Sequence, residues 1–383
     1  MITNYLYTMR YFFILFLLWS WAACGQQYYL FIGTYTSNNS GSKGIYVYKL
    51  DGTTGALTFV SHTDSTVINP SFLTVTEDGS RLYAVTETRT PNAGSVSAFS
   101  FEKTSGELTF LNKRPSGGEN PAFVTTDKNK HWAMVANYST GTLAVFPLFA
   151  DGKLQPYSQW MQHKGKLDST GKEISRLHSV YFSPDQQFVV VPDPGADKIF
   201  VYPFSEKQKE KPLLPHPSII STRTGSFVRH FAFHPKGTLA YSIQEKDGTV
   251  AAYRYKKGRL DLLQIIPAHD STFKGPYQSS DIHISPDGRF LYAANRGTEN
   301  DIAIFSINAT TGKLTRVANQ STLGETPRNF AIVPSGKFLI VANQRTGTVV
   351  VFKRDAQTGL LTETANRIHI PEPACLKMLE VAP

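Results

Sequence analysis

The sequence predicts an all-β fold: a seven-bladed β-propeller with four antiparallel strands per blade, its ring closed by N- and C-terminal segments that share one blade. Three observations predict it. A strand–turn–strand pattern recurs seven times, its turns return about every 50 residues, and the two ends of the 383-residue chain carry incomplete copies that complement each other. Composition agrees: charged residues are 18% and aromatic ones 12%, with 25 Phe and 18 Tyr. Few charges and many aromatics exclude a disordered chain or a long charged coiled coil and favour buried strands.

Residues 1–25 read as an export signal, separate from a single folded domain at 26–383. Arg10 precedes an apolar run from Tyr11 to Ala23 that ends in small residues before Cys24. The run is shorter than the roughly 20 apolar residues of a membrane-spanning helix, and its end is cleavage-like. Ala22-Ala23-Cys24 resembles a bacterial lipobox, whose cysteine is lipidated, although Trp21 stands where Leu is usual. Plain secretion is the second reading, and Met9 offers an alternative start. The expected location is periplasmic or membrane-anchored through that lipid, and cytoplasmic if the segment is not a signal. Cys375 is the one thiol left in the folded part, which excludes an internal disulfide or a cysteine-rich metal site. Its setting, Pro373-Ala374-Cys375-Leu376, marks it as a buried small hydrophobe.

Within the domain, one strand recurs as Leu30–Thr36, Leu82–Thr88, Trp132–Tyr138, Phe188–Pro194, Leu239–Glu245, Leu291–Gly297 and Phe338–Gln344. A second follows each copy, and turn signals such as Thr54-Gly55, Asp151-Gly152 and Thr311-Gly312 introduce a third. An innermost strand precedes each copy and ends in a turn such as Ser183-Pro184-Asp185 or Ser285-Pro286-Asp287-Gly288. Aligning Glu77, Lys128, Pro184, Pro235, Pro286 and Pro334 gives steps of 51, 56, 51, 51 and 48 residues. The copy starting at Tyr28 lacks its innermost strand, and Glu372–Leu379 supplies one, so six internal blades and one composite blade make seven.

Antiparallel order brings the start of each innermost strand to the same mouth as the end of the next strand. Six residues before the aligned turn lie Ser71, Ala122, His178, Arg229, Ser280 and Arg328; ten after it lie Glu87, Tyr138, Pro194, Glu245, Arg296 and Gln344. One position earlier are Thr86, Asn137, Asp193, Gln244, Asn295 and Asn343. These polar positions stand out against apolar strands, and a shared concave mouth is where binding groups gather. Two guanidiniums, Arg229 and Arg296, beside the Glu245 carboxylate and the His178 imidazole suit an anion and an oxyanion. Plainer roles compete: Arg229 and Glu245 can simply pair, Arg296 can brace a turn, and Asp193 can cap backbone amides. His230, His234 and His283 read as structural. No Gly-x-Ser-x-Gly elbow or His-Glu-x-x-His motif occurs. The 39 Lys and Arg exceed the 30 Asp and Glu by 9, but they are scattered, which argues against a nucleic-acid partner.

The stretches Leu177-His178-Ser179-Val180-Tyr181-Phe182-Ser183-Pro184-Asp185, Val228-Arg229-His230-Phe231-Ala232-Phe233-His234-Pro235 and Asn295-Arg296-Gly297, with Glu245, resemble the seven-bladed β-propeller lactonase family. That family includes a bacterial 6-phosphogluconolactonase and a fungal carboxy-cis,cis-muconate lactonizing enzyme, and the likeness runs from Tyr28 to Pro383. The resemblance implies catalytic roles for His178, Arg229, Glu245 and Arg296, and matches Asp193, Gly195 and Asp197 to the family's Asp-x-Gly-x-Asp turn. The expected activity is hydrolysis of a small sugar lactone, anionic or neutral, without metal or other cofactor. Asp193, Glu87, Asn137, Asn343 and Arg328 are the expected substrate-binding residues. Glu87 and Asp193 lie on well-separated blades, which argues against a cation-bound lactonase. A muconate-type lactonizing enzyme and a non-catalytic exported propeller binding glycan or protein are the alternatives. The expected assembly is a monomer or weak oligomer.

Overall fold

The computed structural model describes residues 26–36, 40–64, 67–167, 170–171 and 173–381. The export signal and the lipidation of Cys24 lie outside the described residues. Among those described there is no helix, and none long and apolar enough to cross a membrane.

Seven four-stranded antiparallel sheets form the ring. Blade 1 is composite: Pro373–Val381 lies innermost, followed outward by Gln27–Thr34, Tyr46–Asp51 and Leu57–His62. Blades 2 to 7 begin with the innermost strands Leu73–Val75, Pro121–Thr126, Tyr181–Phe182, Val228–Phe233, Ser279–Ile284 and Pro327–Ile332. A small hairpin, Lys166–Leu167 with Glu173–Ile174, is inserted between blades 3 and 4. The terminal strands pair from Gln27↔Val381 to Thr34↔Pro373. This register joins the two chain ends and removes two open sheet edges.

Burial follows from stacking. The second strand of each blade has neighbouring blades on both faces, so Trp132–Asn137 and Phe338–Asn343 are buried at every position. The outermost strands, such as Leu361–His369, meet solvent and alternate instead. Tyrosines staple successive blades: the hydroxyls of Tyr83, Tyr241 and Tyr292 donate to the carbonyls of Gly152, Gly312 and Gly359 at 2.8, 3.0 and 2.7 Å. Each accepting glycine sits at positive φ in the third-to-fourth-strand turn of the next blade. Two of the turns between the first two strands are closed by a serine hydroxyl: Ser183 and Ser285 Oγ each accept from the amide five residues on, at 3.0 Å.

The second strands end earlier than the sequence pattern predicts, at Asp193, Gln244 and Asn295 instead of Pro194, Glu245 and Gly297. Beyond those points the chain leaves the sheet ladder to bond with the mouth loops, which matters for the site.

Candidate active site

Two backbone devices turn side chains into the mouth. The first is a residue in the left-handed region just before the innermost strand: Asn69, Asn120, Phe227, Thr326 and Glu372 have φ of 42°, 56°, 66°, 59° and 49°. Their carbonyls accept from the amides of Glu87, Tyr138, Glu245, Gln344 and Tyr35 at 2.9–3.1 Å, fixing the residue just past each second strand. Phe and Thr are poor residues for positive φ, and such strain persists where surrounding structure enforces it. The second device is an irregularity in the strand that follows. Register shifts between Val228 and His230, and between Pro327 and Asn329, leave Arg229 and Arg328 outside the ladder. A bulge re-aims its side chain, and here both are guanidiniums.

The four residues expected to carry catalysis converge. Glu245 bridges two cations: its Oε1 lies 2.8 Å from Arg296 Nη2 and its Oε2 lies 3.3 Å from Arg229 Nε. Arg229 is 2% exposed and donates through Nη1 to the Ser280 carbonyl and to His230 Nε2, the latter at 3.3 Å. Arg296 donates through Nε to the Gln278 carbonyl at 3.2 Å. Both plain roles therefore hold as well: Arg229 does pair with Glu245, and Arg296 does brace a turn. Neither removes the guanidiniums from the mouth, because Arg229 Nη2 and Arg296 Nη1 make no hydrogen bond to a described residue.

Burial opposes the charge on Glu245, but Arg296 and then Arg229 outweigh it and hold the carboxyl below its usual range. Burial first, then repulsion from Arg296, pushes Arg229 down to about 10, so it stays a cation at neutral pH. His178 is buried between the rings of Tyr138 and His230, at 5.6 and 5.2 Å. Its Nδ1 has no partner among the described residues. Burial, then the charge of Arg229, holds it well below the ordinary imidazole range, so it is neutral.

Arg328 joins from blade 7. It donates to the Tyr35 hydroxyl at 2.6 Å and lies 3.6 Å from Glu87 Oε2, which also accepts from Tyr35 at 2.6 Å and from Ser71 Oγ. Glu87 and Arg328 thus stand in the same mouth as expected, and three guanidiniums there face two carboxylates.

The other expected binding residues turn elsewhere. Asn137 and Asn343 are fully buried, and their amides donate at 2.9 Å to the carbonyls of Ser116 and Thr322. Asn295 does the same to Ala268. These asparagines hold the loop arriving from the previous blade. Asp193 accepts from Ser175 Oγ at 2.6 Å and from the amides of Arg176 and Ala196 at 2.8 and 3.1 Å, and its Oδ2 lies 3.3 Å from His163 Nδ1. It caps amides and anchors the segment leading to His178. Asp193 and Glu87 are not neighbours. The one described group of donors spaced for a metal, Asp127, His131 and Glu206, lies on turns at the opposite face.

Two features escaped the sequence reading. Tyr35 occupies, in the composite blade, the position of Glu87 and Glu245 elsewhere; an alignment starting at Glu77 omits that blade. His230 and His283 belong to a network centred on Asp281, a carboxylate 2% exposed. Asp281 accepts from His230 Nδ1 at 2.7 Å, His283 Nε2 at 2.9 Å, Asn329 Nδ2 and the Phe330 amide. Burial and then the Arg229 charge push His230 down to about 4. Its contact with Asp281 is therefore a neutral N–H donating to a carboxylate. That bond fixes the tautomer whose Nε2 accepts from Arg229. The polar pattern Ser280-Asp281-Ile282-His283 inside a strand was the available signal.

The family model described as "Lactonase, 7-bladed beta-propeller" matches residues 29–378. A 6-phosphogluconolactonase of Formosa agariphila is 36% identical over 351 residues, 91% of this chain and 99% of the relative. One of Bacillus subtilis is 35% identical over 355 residues, 92% and 99% of the two chains. Among solved structures, the periplasmic gluconolactonase of Pseudomonas aeruginosa superposes with a TM-score of 0.86 at 34% identity, covering 92% of this chain and 99% of its own. With its ring of seven sheets and its cationic mouth, the chain belongs to the seven-bladed β-propeller lactonase family.

Proposed function

We infer that the chain is a sugar-lactone hydrolase of the 6-phosphogluconolactonase kind, and that the reaction takes place in the mouth around Glu245. One observation carries the assignment of residues: a single carboxylate holds Arg229 and Arg296 side by side, at 3.3 and 2.8 Å. Paired guanidiniums, each with an uncommitted nitrogen, suit the carbonyl oxygen of a lactone as it gains negative charge. His178, neutral in the fold, takes the proton of the attacking water. The proton then passes to the ring oxygen as the ester bond breaks, giving the sugar acid. Glu245 orients the cations. Arg328, held by Tyr35 and Glu87, offers the charge for an anionic substituent such as a phosphate.

Acid release from glucono-1,5-lactone and from its 6-phosphate by purified protein tests this reading and ranks the two substrates. Arg296→Ala should lower kcat/KM by about 10²-fold, the usual effect of losing one oxyanion donor; an undiminished rate removes Arg296 from the mechanism. The periplasmic name of the Pseudomonas aeruginosa relative supports the reading of residues 1–25 as an export signal. Cell fractionation, with labelled-lipid incorporation at Cys24, checks that separately.

A further inference from the structure

A well-formed cleft of the described chain does not lie over the cation pair. It holds about 670 Å³ and runs outward between blades 5 and 6 on the face that carries the mouth. That volume is within the range of small-molecule sites and well beyond what one phosphate requires. Its walls begin one residue from the site on either side. Lys246 follows Glu245, and Tyr277 precedes Gln278, whose carbonyl accepts from both the amide and Nε of Arg296, at 3.0 and 3.2 Å. The floor is tied to the same machinery: His269 Nε2 lies 3.3 Å from Ser279 Oγ, and the Ser279 amide donates to the Glu245 carbonyl at 3.1 Å.

Two properties define what the cleft accepts. Its floor is aromatic. His269, 4% exposed, is stacked by Phe273 at 5.3 Å and 16°, and Tyr277 leans on it at 4.6 Å. Tyr277 is 39% exposed, so it presents an aromatic surface to an occupant. Its rim is cationic. Arg223, Lys246, Lys274 and Arg316 line it against Asp247 and Asp270. Asp247 faces Arg223 at 3.5 Å, and Asp270 accepts from the Thr272 amide and hydroxyl at 2.9 and 2.6 Å. Lys246, Lys274 and Arg316 have no ion pair among the described residues; Arg316 donates to the carbonyls of Pro267 and His269 and to Asn319 Oδ1. Lys246 Nζ stands over the Phe227 ring at 4.4 Å, and Phe227 lies 6.5 Å from Tyr138, the neighbour of His178. Lys246 therefore stands between cleft and mouth.

An aromatic floor under a rim of surplus positive charge suits a sugar ring that bears an anionic group. The ring's C–H face packs on the aromatics, and the charge meets the lysines. We propose that this cleft is a subsite for an acidic sugar unit linked to the lactone, so that the preferred substrates are lactones of disaccharide acids whose second ring is a uronic acid. The inference rests on the lactonase reading of the mouth.

Three probes separate the cleft from the mouth: glucono-1,5-lactone, the lactone of cellobionic acid, and the corresponding lactone with a glucuronic acid as second ring. The unaltered chain should hydrolyse the last with kcat/KM about tenfold or more above the first, mainly through KM, with the neutral disaccharide between them. Lys274→Ala should lower turnover of the acidic probe about fivefold to tenfold, and Tyr277→Ala that of both disaccharides, while glucono-1,5-lactone stays within about twofold. Both side chains are at the surface, so the variants should fold. Equal kcat/KM for all three probes, or variants indistinguishable from the parent on the acidic one, would overturn the subsite and leave the hydrolase reading intact. If no lactone is turned over, the hydrolase reading fails. Titration calorimetry with the free glucuronic-acid disaccharide then decides the cleft: binding that Lys274→Ala weakens supports it, and no binding ends it.

Discussion

Glu245→Gln isolates the contact on which the mouth depends, because glutamine keeps the shape and removes the charge. At an effective dielectric near 20, contacts of 2.8 and 3.3 Å correspond to attractions of about 6 and 5 kcal/mol before desolvation. After the carboxylate's own desolvation is set against them, breaking a pair of this burial costs about 3–5 kcal/mol. For a domain of this size that lowers Tm by about 5 °C. The variant also leaves three guanidiniums facing Glu87 alone, so a bound anion should gain what the fold lost. Sulfate at a hundred times its Kd restores about 2.7 kcal/mol. Differential scanning calorimetry of both proteins across a sulfate series measures this. The expected result is a low Tm that rises with sulfate more steeply in the variant than in the parent, and a kcat/KM reduced about tenfold to a hundredfold. Equal Tm values with parallel sulfate responses would show that Glu245 does not hold the cations together. A loss beyond about 10⁴-fold with KM unchanged, and with the acid limb of the pH profile abolished, would make Glu245 the base in place of His178.

His178→Gln should reduce kcat by about 10²–10³-fold, the range for a general base, with Tm nearly unchanged because Nδ1 strands no described partner when lost; a rate within threefold of the parent would exclude the role. Asp281→Asn should lower Tm and raise KM, since an amide nitrogen cannot replace an Oδ2 that receives His283, Asn329 and the Phe330 amide. An unchanged KM would separate the His230–Asp281 pair from the placement of Arg229. Stability should fall on acidification. His178 and His230 are held below the ordinary imidazole value, so between about pH 6.5 and pH 4 the unfolded chain binds protons that the folded chain refuses. With two such groups the slope approaches about 3 kcal/mol per pH unit, and chemical denaturation at pH 7 and pH 5 should show it. Half that slope would mean that one of these imidazoles takes up its proton in the fold, and a flat profile that both do.

The ring was legible in the chain because every blade repeats the same physical requirement, an apolar second strand between turns, and several add a glycine turn that admits the neighbour's tyrosine or a serine-closed turn at the far face. The terminal strand was legible for the same reason, since the copies at the two ends lack complementary parts. Single-residue geometry was less so. Glu245, Arg296, Arg229 and His178 were found by position along the repeat, yet what directs Arg229 and Arg328 inward is a shift of register, which leaves no mark on the alternation of residue types. Phe227 and Thr326 carry positive φ that their own preferences oppose, so local sequence argues against the conformation the loop enforces.

Asn137 and Asn343 show the opposite error. An asparagine at a strand end looks like a ligand-binding group, but its amide is also the right length to hold a carbonyl of the incoming loop. The backbone need wins because a buried carbonyl without a donor costs about 1–3 kcal/mol in each of these blades, whether or not substrate is bound. The same reasoning identifies the residues that keep a nitrogen beyond those used in bracing. A polar group at the mouth that keeps a nitrogen the backbone does not use is the better candidate for chemistry. Arg229, Arg296 and His178 meet that test: each guanidinium keeps a nitrogen uncommitted, and the imidazole keeps Nδ1 unpaired. Asn137, Asn343 and Asp193 do not, although the sequence shows them in the same ring.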